Sequence, residues 1–134
     1  MMGQWPSLLI QKINNYMDLN TLQKKVDDWI KKYGVRYFDE LTNMAQLSEE
    51  VGEVARIISR TYGEQSIKKN EELNDLGEEL ADVLFVLLCL ANQTGIDLEK
   101  SFEKKLKKKT ERDKTRHMSN KKLKWKKSEL MVQI

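Results

Sequence analysis

Two short acidic runs, "EEVGE" at residues 49–53 and "EELAD" at 78–82, are the parts of this chain best suited to chemistry. Glu50 and Glu53 stand three residues apart, as do Glu79 and Asp82. On a helix that spacing places two side chains on one face, with Cβ atoms about 5–6 Å apart. If the two helices pack antiparallel, both pairs face one another at the edge of a core. Four carboxylates at that range do not all stay ionised without a cation among them. The missing ligands narrow the ion. His117 lies outside both runs, Cys89 lies two turns from Asp82, and neither run holds the Glu-x-x-His pair of a di-iron bundle. An all-oxygen donor set suits a hard ion, Mg²⁺ or else Mn²⁺, and Mg²⁺ commonly completes its shell with phosphate oxygens. A phosphorylated substrate is therefore the expectation.

Asp82 poses the sharpest question. It falls inside "EELADVLFVLLCLAN" (78–92), the most apolar stretch of the chain, and a buried carboxylate there is costly unless it is paired or holds a metal. The elements around it read as four helices. Asn20, with Gln23 three residues on, suggests an N-cap for a first helix over 21–33 that Gly34 closes; before it, Leu8, Leu9, Ile13 and Met17 are only loosely amphipathic. Asp39 caps a second helix running to about residue 60, on which Leu47, Val51, Val54 and Ile58 mark the core stripe. Glu50 lies beside that stripe and Glu49 furthest from it. A third helix starts within 70–75 and ends before Gly95, and Asp97 caps a fourth that continues to about residue 117.

Composition agrees with one all-α domain. The 134 residues are 40% apolar and 34% charged, and 7% aromatic content with no strand alternation argues against a sheet. The longest apolar run, 83–91, is far short of the ~20 residues that span a bilayer, and "SLLI" near the start is too short for a signal-peptide core. A single Cys excludes an internal disulfide and fits a reduced, cytoplasmic compartment. The net charge of +3 hides an asymmetry: residues 1–99 hold 10 Lys and Arg against 17 Asp and Glu, residues 100–134 hold 14 against 4. Such halves neutralise one another or hold a cation and an anion side by side.

"LSEEVGEVAR" (47–56) followed by "EELADVLFVLLCLANQTGIDL" (78–98) resembles the MazG family of all-α nucleoside triphosphate pyrophosphohydrolases, whose pattern is Glu-Glu-x-x-Glu on one helix and Glu-x-x-Asp on the next. The similarity runs from about residue 26 to 116, within a domain of 1–117 followed by a basic tail, 118–134. The resemblance implies that Glu50, Glu53, Glu79 and Asp82 bind Mg²⁺, and that Glu49 orients the attacking water or touches a second ion. It implies a four-helix bundle-like core completed by homo-oligomerisation, as a dimer or a dimer of dimers. It implies cleavage of a nucleoside triphosphate to monophosphate and pyrophosphate, in nucleotide-pool house-cleaning. Basic residues at the place of Lys108 and Arg112 approach the triphosphate in the family.

Each residue also has a plainer reading. The glutamates alone suit a solvated helix face, and Asp82 alone suits an ion pair with a Lys or Arg inside the bundle. Gly52 is either a tolerated defect or room for phosphate or a neighbouring helix. Asn92 either reaches phosphate or caps the helix end near Gly95. Trp29, Tyr33, Tyr37 and Phe38 either pack in the core or, Trp29 and Phe38 foremost, stack on a base. A different class of function, a helical module binding nucleic acid, would use Lys121, Lys122, Lys124, Trp125, Lys126 and Lys127. It leaves Asp82 unexplained, and the acidic first 99 residues would repel a nucleic-acid backbone. A third reading makes the metal a structural staple only.

Overall fold

The computed structural model describes residues 17–123. Leu8, Leu9 and Ile13 of the loosely amphipathic start, and Lys124, Trp125, Lys126 and Lys127 of the basic tail, lie outside the described residues. Among the described residues four α-helices follow in chain order: α1 (Leu19–Trp29), α2 (Glu40–Thr61), α3 (Leu76–Gln93) and α4 (Leu98–Asp113). The fold is all-α, as the sequence predicts. Two compact units divide the chain, one up to Glu99 and one from Lys100. That boundary coincides with the switch from acidic to basic composition.

α1 starts two residues earlier than its sequence suggests. Asp18, not Asn20, is the N-cap, accepting from the Thr21 amide at 2.7 Å. Asn20 instead donates to Glu99 at 2.6 Å, and Gln23 is buried against the link between α3 and α4. The reason is that Ile96 and Leu98 present backbone groups there: Gln23 donates to the Ile96 carbonyl at 2.9 Å and accepts from the Leu98 amide at 3.0 Å. A buried amide side chain must find partners, and these two backbone groups supply them.

The end of α1 also departs from expectation. The helix widens to a π-turn over Ile30–Gly34, and the residue with positive φ is Val35 (φ 69°, ψ −59°), not Gly34. The Arg36 amide donates to the Gly34 carbonyl at 2.8 Å, closing a γ-turn at an exposed β-branched residue. At Gly34 itself the constraint is one of space rather than of φ. A Cβ on it would stand 3.3 Å from Cδ1 of Ile30, which belongs to the core.

The core gathers Val26 of α1 and Ile30 of the π-turn with Leu88 and Cys89 of α3, flanked by Leu22, Tyr37, Phe85 and Leu98. α3 is the central element, packing on both α1 and α2. Its C-terminus ends in a Schellman motif. The Ile96 amide donates to the Ala91 carbonyl at 2.8 Å and the Gly95 amide to that of Asn92 at 3.2 Å, with Gly95 at φ +69°. Asp39 and Asp75 cap α2 and α3, accepting from the amides of Thr42 and Glu78.

Two burial expectations fail, for one reason. On α2 the covered positions include Asn43, Leu47, Glu50, Val54 and Ile57, whereas Val51 and Ile58 of the expected stripe are exposed, with Leu41 and Met44. On α3 Asp82 is exposed, as are Leu80, Leu84 and Leu87, and the buried acid is Glu79, at 6% exposure. The contacts of α1 and its π-turn to α3 (Gln23 to Asn92, Trp29 to Phe85, Val26 and Ile30 to Leu88 and Cys89) all fall in the C-terminal part of α3. Among the described residues these contacts do not reach the N-terminal turns of α3, which α2 and the link before α3 meet, and apolar side chains of both helices are left exposed there.

Candidate active site

The N-terminal end of α3 meets the middle of α2 at three carboxylates. One oxygen each from Glu50, Glu79 and Asp82 lie within 4.8 Å of one another. Glu79 is fixed by Asn74, which donates to its Oε1 at 2.8 Å from the link before α3. Glu50 is half-buried, and burial first, then the charges of Asp82, Glu79, Glu53 and Glu49, pushes its carboxyl above the ordinary value of 4.5. Among the described residues no Lys or Arg pairs with Asp82. The ion-pair reading of Asp82 therefore finds no cation.

These three acids fit a hard divalent ion. They are all oxygen donors, they approach across two helices, and their mutual repulsion is already written into the raised Glu50. Glu53 stands apart from them: its Oε2 lies 3.3 Å from Nε of Arg56. Glu49 is exposed on the same helix, one residue before Glu50. Gly52 has open space where a Cβ would be.

A second polar cluster, missed in the sequence, lies beyond Glu53. Arg56 pairs with Glu71 of the α2–α3 link, and Arg60 Nε lies 3.5 Å from Glu71 Oε2. The signal available was the i,i+4 spacing of two arginines directly after an acidic motif. Arg56 and Arg60 both bury an Nε that has ion-pair proximity but no hydrogen-bond geometry.

The other predicted residues divide. Asn92 commits its whole amide to a tie across the bundle, accepting from Gln23 Nε2 at 3.0 Å and donating to the Gln23 carbonyl at 2.8 Å and the Tyr37 hydroxyl at 3.1 Å. It neither caps its own helix nor points an open donor at a ligand. Tyr37 in turn donates to Asp27 at 2.6 Å, and burial followed by that carboxylate pushes its hydroxyl pKa up. Trp29 is half-exposed and meets Phe85 edge-on at 5.6 Å, one turn from Asp82 on α3. Phe38 is also half-exposed, while its carbonyl accepts from Asn43 and Gln93. Cys89 is packed in the core, its thiol pushed up to about 11 by burial.

In the unit from Lys100, Lys108 is exposed on α4. Arg112 forks onto one oxygen of Asp113, at 3.0 and 2.8 Å, and that pairing holds Asp113 down at about 2.

The family model described as the MazG nucleotide pyrophosphohydrolase domain matches residues 38–117, which include both acidic runs. The chain belongs to the MazG family. It is thus an enzyme, a hydrolase acting on nucleoside triphosphates. It is 42% identical over 98 residues to the protein YpjD of Bacillus subtilis strain 168, covering 73% of this chain and 88% of that one. Two solved structures are similar to this MazG-family chain at 39% identity. One is the putative pyrophosphatase YpjD from Bacillus subtilis, with TM-score 0.61, covering 69% of this chain and 93% of that one. The other is a Bacillus-conserved MazG protein, a nucleotide pyrophosphohydrolase, with TM-score 0.60 and coverage of 69% and 90%.

Proposed function

We propose that this enzyme cleaves nucleoside triphosphates between the α and β phosphates, releasing monophosphate and pyrophosphate, and that it does so in the cytoplasm as a nucleotide-pool house-cleaner. One observation carries the reading: three carboxylates from two helices converge within 4.8 Å at the motif that places the chain in its family. Glu50, Glu79 and Asp82 would hold Mg²⁺, with Mn²⁺ as substitute, and Glu53 would join them by leaving Arg56. The ion supplies positive charge at the phosphoryl oxygens as the anhydride breaks.

The chain's own groups do the rest. Glu49, exposed beside the cluster, orients the attacking water and takes up its proton. Asn74 holds Glu79 in place. Lys108 and Arg112 contact phosphate oxygens, Arg112 by exchanging Asp113 for phosphate. Trp29 and Phe38, both half-exposed, offer faces for the base. Asn92 we assign to the fold instead, because its amide is already spent. A second copy of the chain would cover Leu41, Met44, Val51 and Ile58 of α2 with Leu80, Leu84 and Leu87 of α3, giving a homodimer or homotetramer. These exposed apolar positions recur at helical spacing, which is what a bundle partner requires. The enzymatic domain is 1–117, with 118–134 as a basic tail.

The test is product analysis. Incubation with Mg²⁺ and a panel of nucleoside triphosphates should yield monophosphate and pyrophosphate, resolved by chromatography. Orthophosphate and diphosphate as the initial products would overturn the assignment.

A further inference from the structure

Arg56 and Arg60 are one turn apart on α2, so their like charges repel unless an anion lies between them. Glu71 supplies that anion. It comes from the non-helical link between α2 and α3, where its other ties among the described residues are local: its Oε2 accepts from the Lys68 amide at 3.1 Å and its own amide donates to the Lys68 carbonyl at 3.0 Å. Yet the match is incomplete. Arg60 is 14% exposed at its side chain, Arg56 32%, and the Nε of each is buried without a hydrogen bond. A buried donor left unserved costs free energy, and one planar carboxylate has too few oxygens in the right places for two guanidinium forks. A phosphoryl group presents three oxygens tetrahedrally and carries more charge.

The position matters as much as the chemistry. Arg56 lies six residues beyond Glu50 on the same helix, about 9 Å along the axis. The link that carries Glu71 also carries Asn74, which holds Glu79 of the acid cluster. Glu53 now neutralises Arg56. Its departure toward a cation would leave Arg56, Arg60 and Glu71 with a net positive charge beside that cation.

We propose that Arg56 and Arg60 form the seat for the diphosphate end of the substrate, the part that leaves as pyrophosphate, and that Glu71 is an internal anion holding that seat in the free enzyme. This rests on the pyrophosphohydrolase reading. Binding exchanges the Glu71 carboxylate for phosphoryl oxygens and frees the link. Glu71 is then a competitor of the ligand, not a support for it, which gives the variants opposite signs.

Calorimetric titration with inorganic pyrophosphate in Mg²⁺, and separately with a nucleoside monophosphate, involves no turnover. Glu71→Gln should bind pyrophosphate about tenfold more tightly than wild type, because the competing charge is gone. Arg60→Lys keeps the charge but loses the fork, and should bind it about tenfold more weakly. Neither should change the affinity for monophosphate. Glu71→Gln binding pyrophosphate no better than wild type, or Arg60→Lys weakening both ligands equally, would overturn the seat. Should Glu71→Gln fail to fold, Arg60→Lys decides alone, and wild-type pyrophosphate affinity in it rejects the proposal. Release of orthophosphate as first product would defeat the pyrophosphohydrolase reading without touching these titrations. Normal products with unaltered affinities in both variants would defeat the seat alone.

Discussion

The two ends of α3 are both polar, and they could hardly be more different. At the C-terminal end, Asn92, Gln23, Tyr37 and Asp27 form a chain in which donors meet acceptors within the protein. At the N-terminal end, Glu50, Glu79 and Asp82 present acceptors to acceptors, and among the described residues a single Asn74 amide serves one of them. A network that closes on itself contributes to one stable fold. A cluster of like charges contributes only when something from outside completes it. The comparison separates structural from functional polarity without reference to which residues are polar.

The largest effect expected from this contrast is on turnover. Asp82→Asn and Glu50→Gln should each lower kcat/KM by about a hundredfold or more, since each removes a charge that matters chiefly when substrate and ion are in place. In EDTA both variants should melt no lower than wild type, because repulsion has been relieved. Adding Mg²⁺ at a hundredfold excess over Kd should stabilise wild type by ~2–3 kcal/mol and the variants by much less. Melts of each protein in EDTA and in Mg²⁺ check this. Strong destabilisation of Asp82→Asn in EDTA would mean that Asp82 supports the fold.

At the other end the signs reverse. Asn92→Leu takes one partner from the buried Gln23 amide and one from the Tyr37 hydroxyl, leaving them Ile96, Leu98 and Asp27, and should cost roughly 1–2 kcal/mol in denaturant unfolding while activity per folded molecule is retained. If Asn92→Leu folded normally but raised KM alone, Asn92 would belong with the phosphates after all.

The same contrast explains what could be read from the chain. Helix number, the Asp39 cap and the Gly95 stop were legible, because they depend on neighbours within a few residues. The pairing of Glu50 with Glu79 and Asp82 was legible as well, because helical spacing fixes which acids share a face. Two things were not. The exposure of Asp82 depends on where α1 stops along α3, and hydropathy cannot say that a surplus apolar face is left uncovered. The C-terminal network and the Arg56–Glu71–Arg60 cluster join residues far apart in sequence, and neither arginine nor glutamine announces its partner. Even Gln23, legible as part of a capping box, proved to reach a different element.

Titration should expose the opposed signs directly. Asp27 is held below its ordinary 3.8 first by Lys31, then by Tyr37, so its contribution is present at neutral pH and lost as the pH falls through the lowered folded value. Asp27→Asn should therefore melt below wild type at pH 7, with the gap closing in acid. Glu50 is held above 4.5, so the folded state is penalised at neutral pH and relieved as the group protonates. Glu50→Gln should melt above wild type at pH 7 in EDTA, and that gain should fade as the pH approaches 4.5. Melting curves across pH 3–7 for the three proteins would show two differences of opposite sign, both shrinking in acid. Same-sign differences would mean that the two clusters are not energetically distinct.

The smallest effect concerns how the chain reaches the self-satisfied end. After the π-turn, Val35 bends the backbone so that Tyr37, two residues later, delivers its hydroxyl between Asp27 and Asn92. Val35 does this at φ 69° with its side chain almost wholly exposed, so its β-branched carbons meet backbone strain without compensating burial. Such a conformation costs a non-glycine residue about 1–3 kcal/mol, against roughly 0.5–1 kcal/mol of extra chain entropy lost by glycine. Val35→Gly should therefore stabilise the protein by about 1 kcal/mol, read from denaturant unfolding, with kcat and KM unchanged because the turn serves the structural end. Val35→Ala should gain less, since a Cβ remains. Loss of activity in a more stable Val35→Gly would place the strained turn, and with it Phe38, on the functional side of the comparison instead.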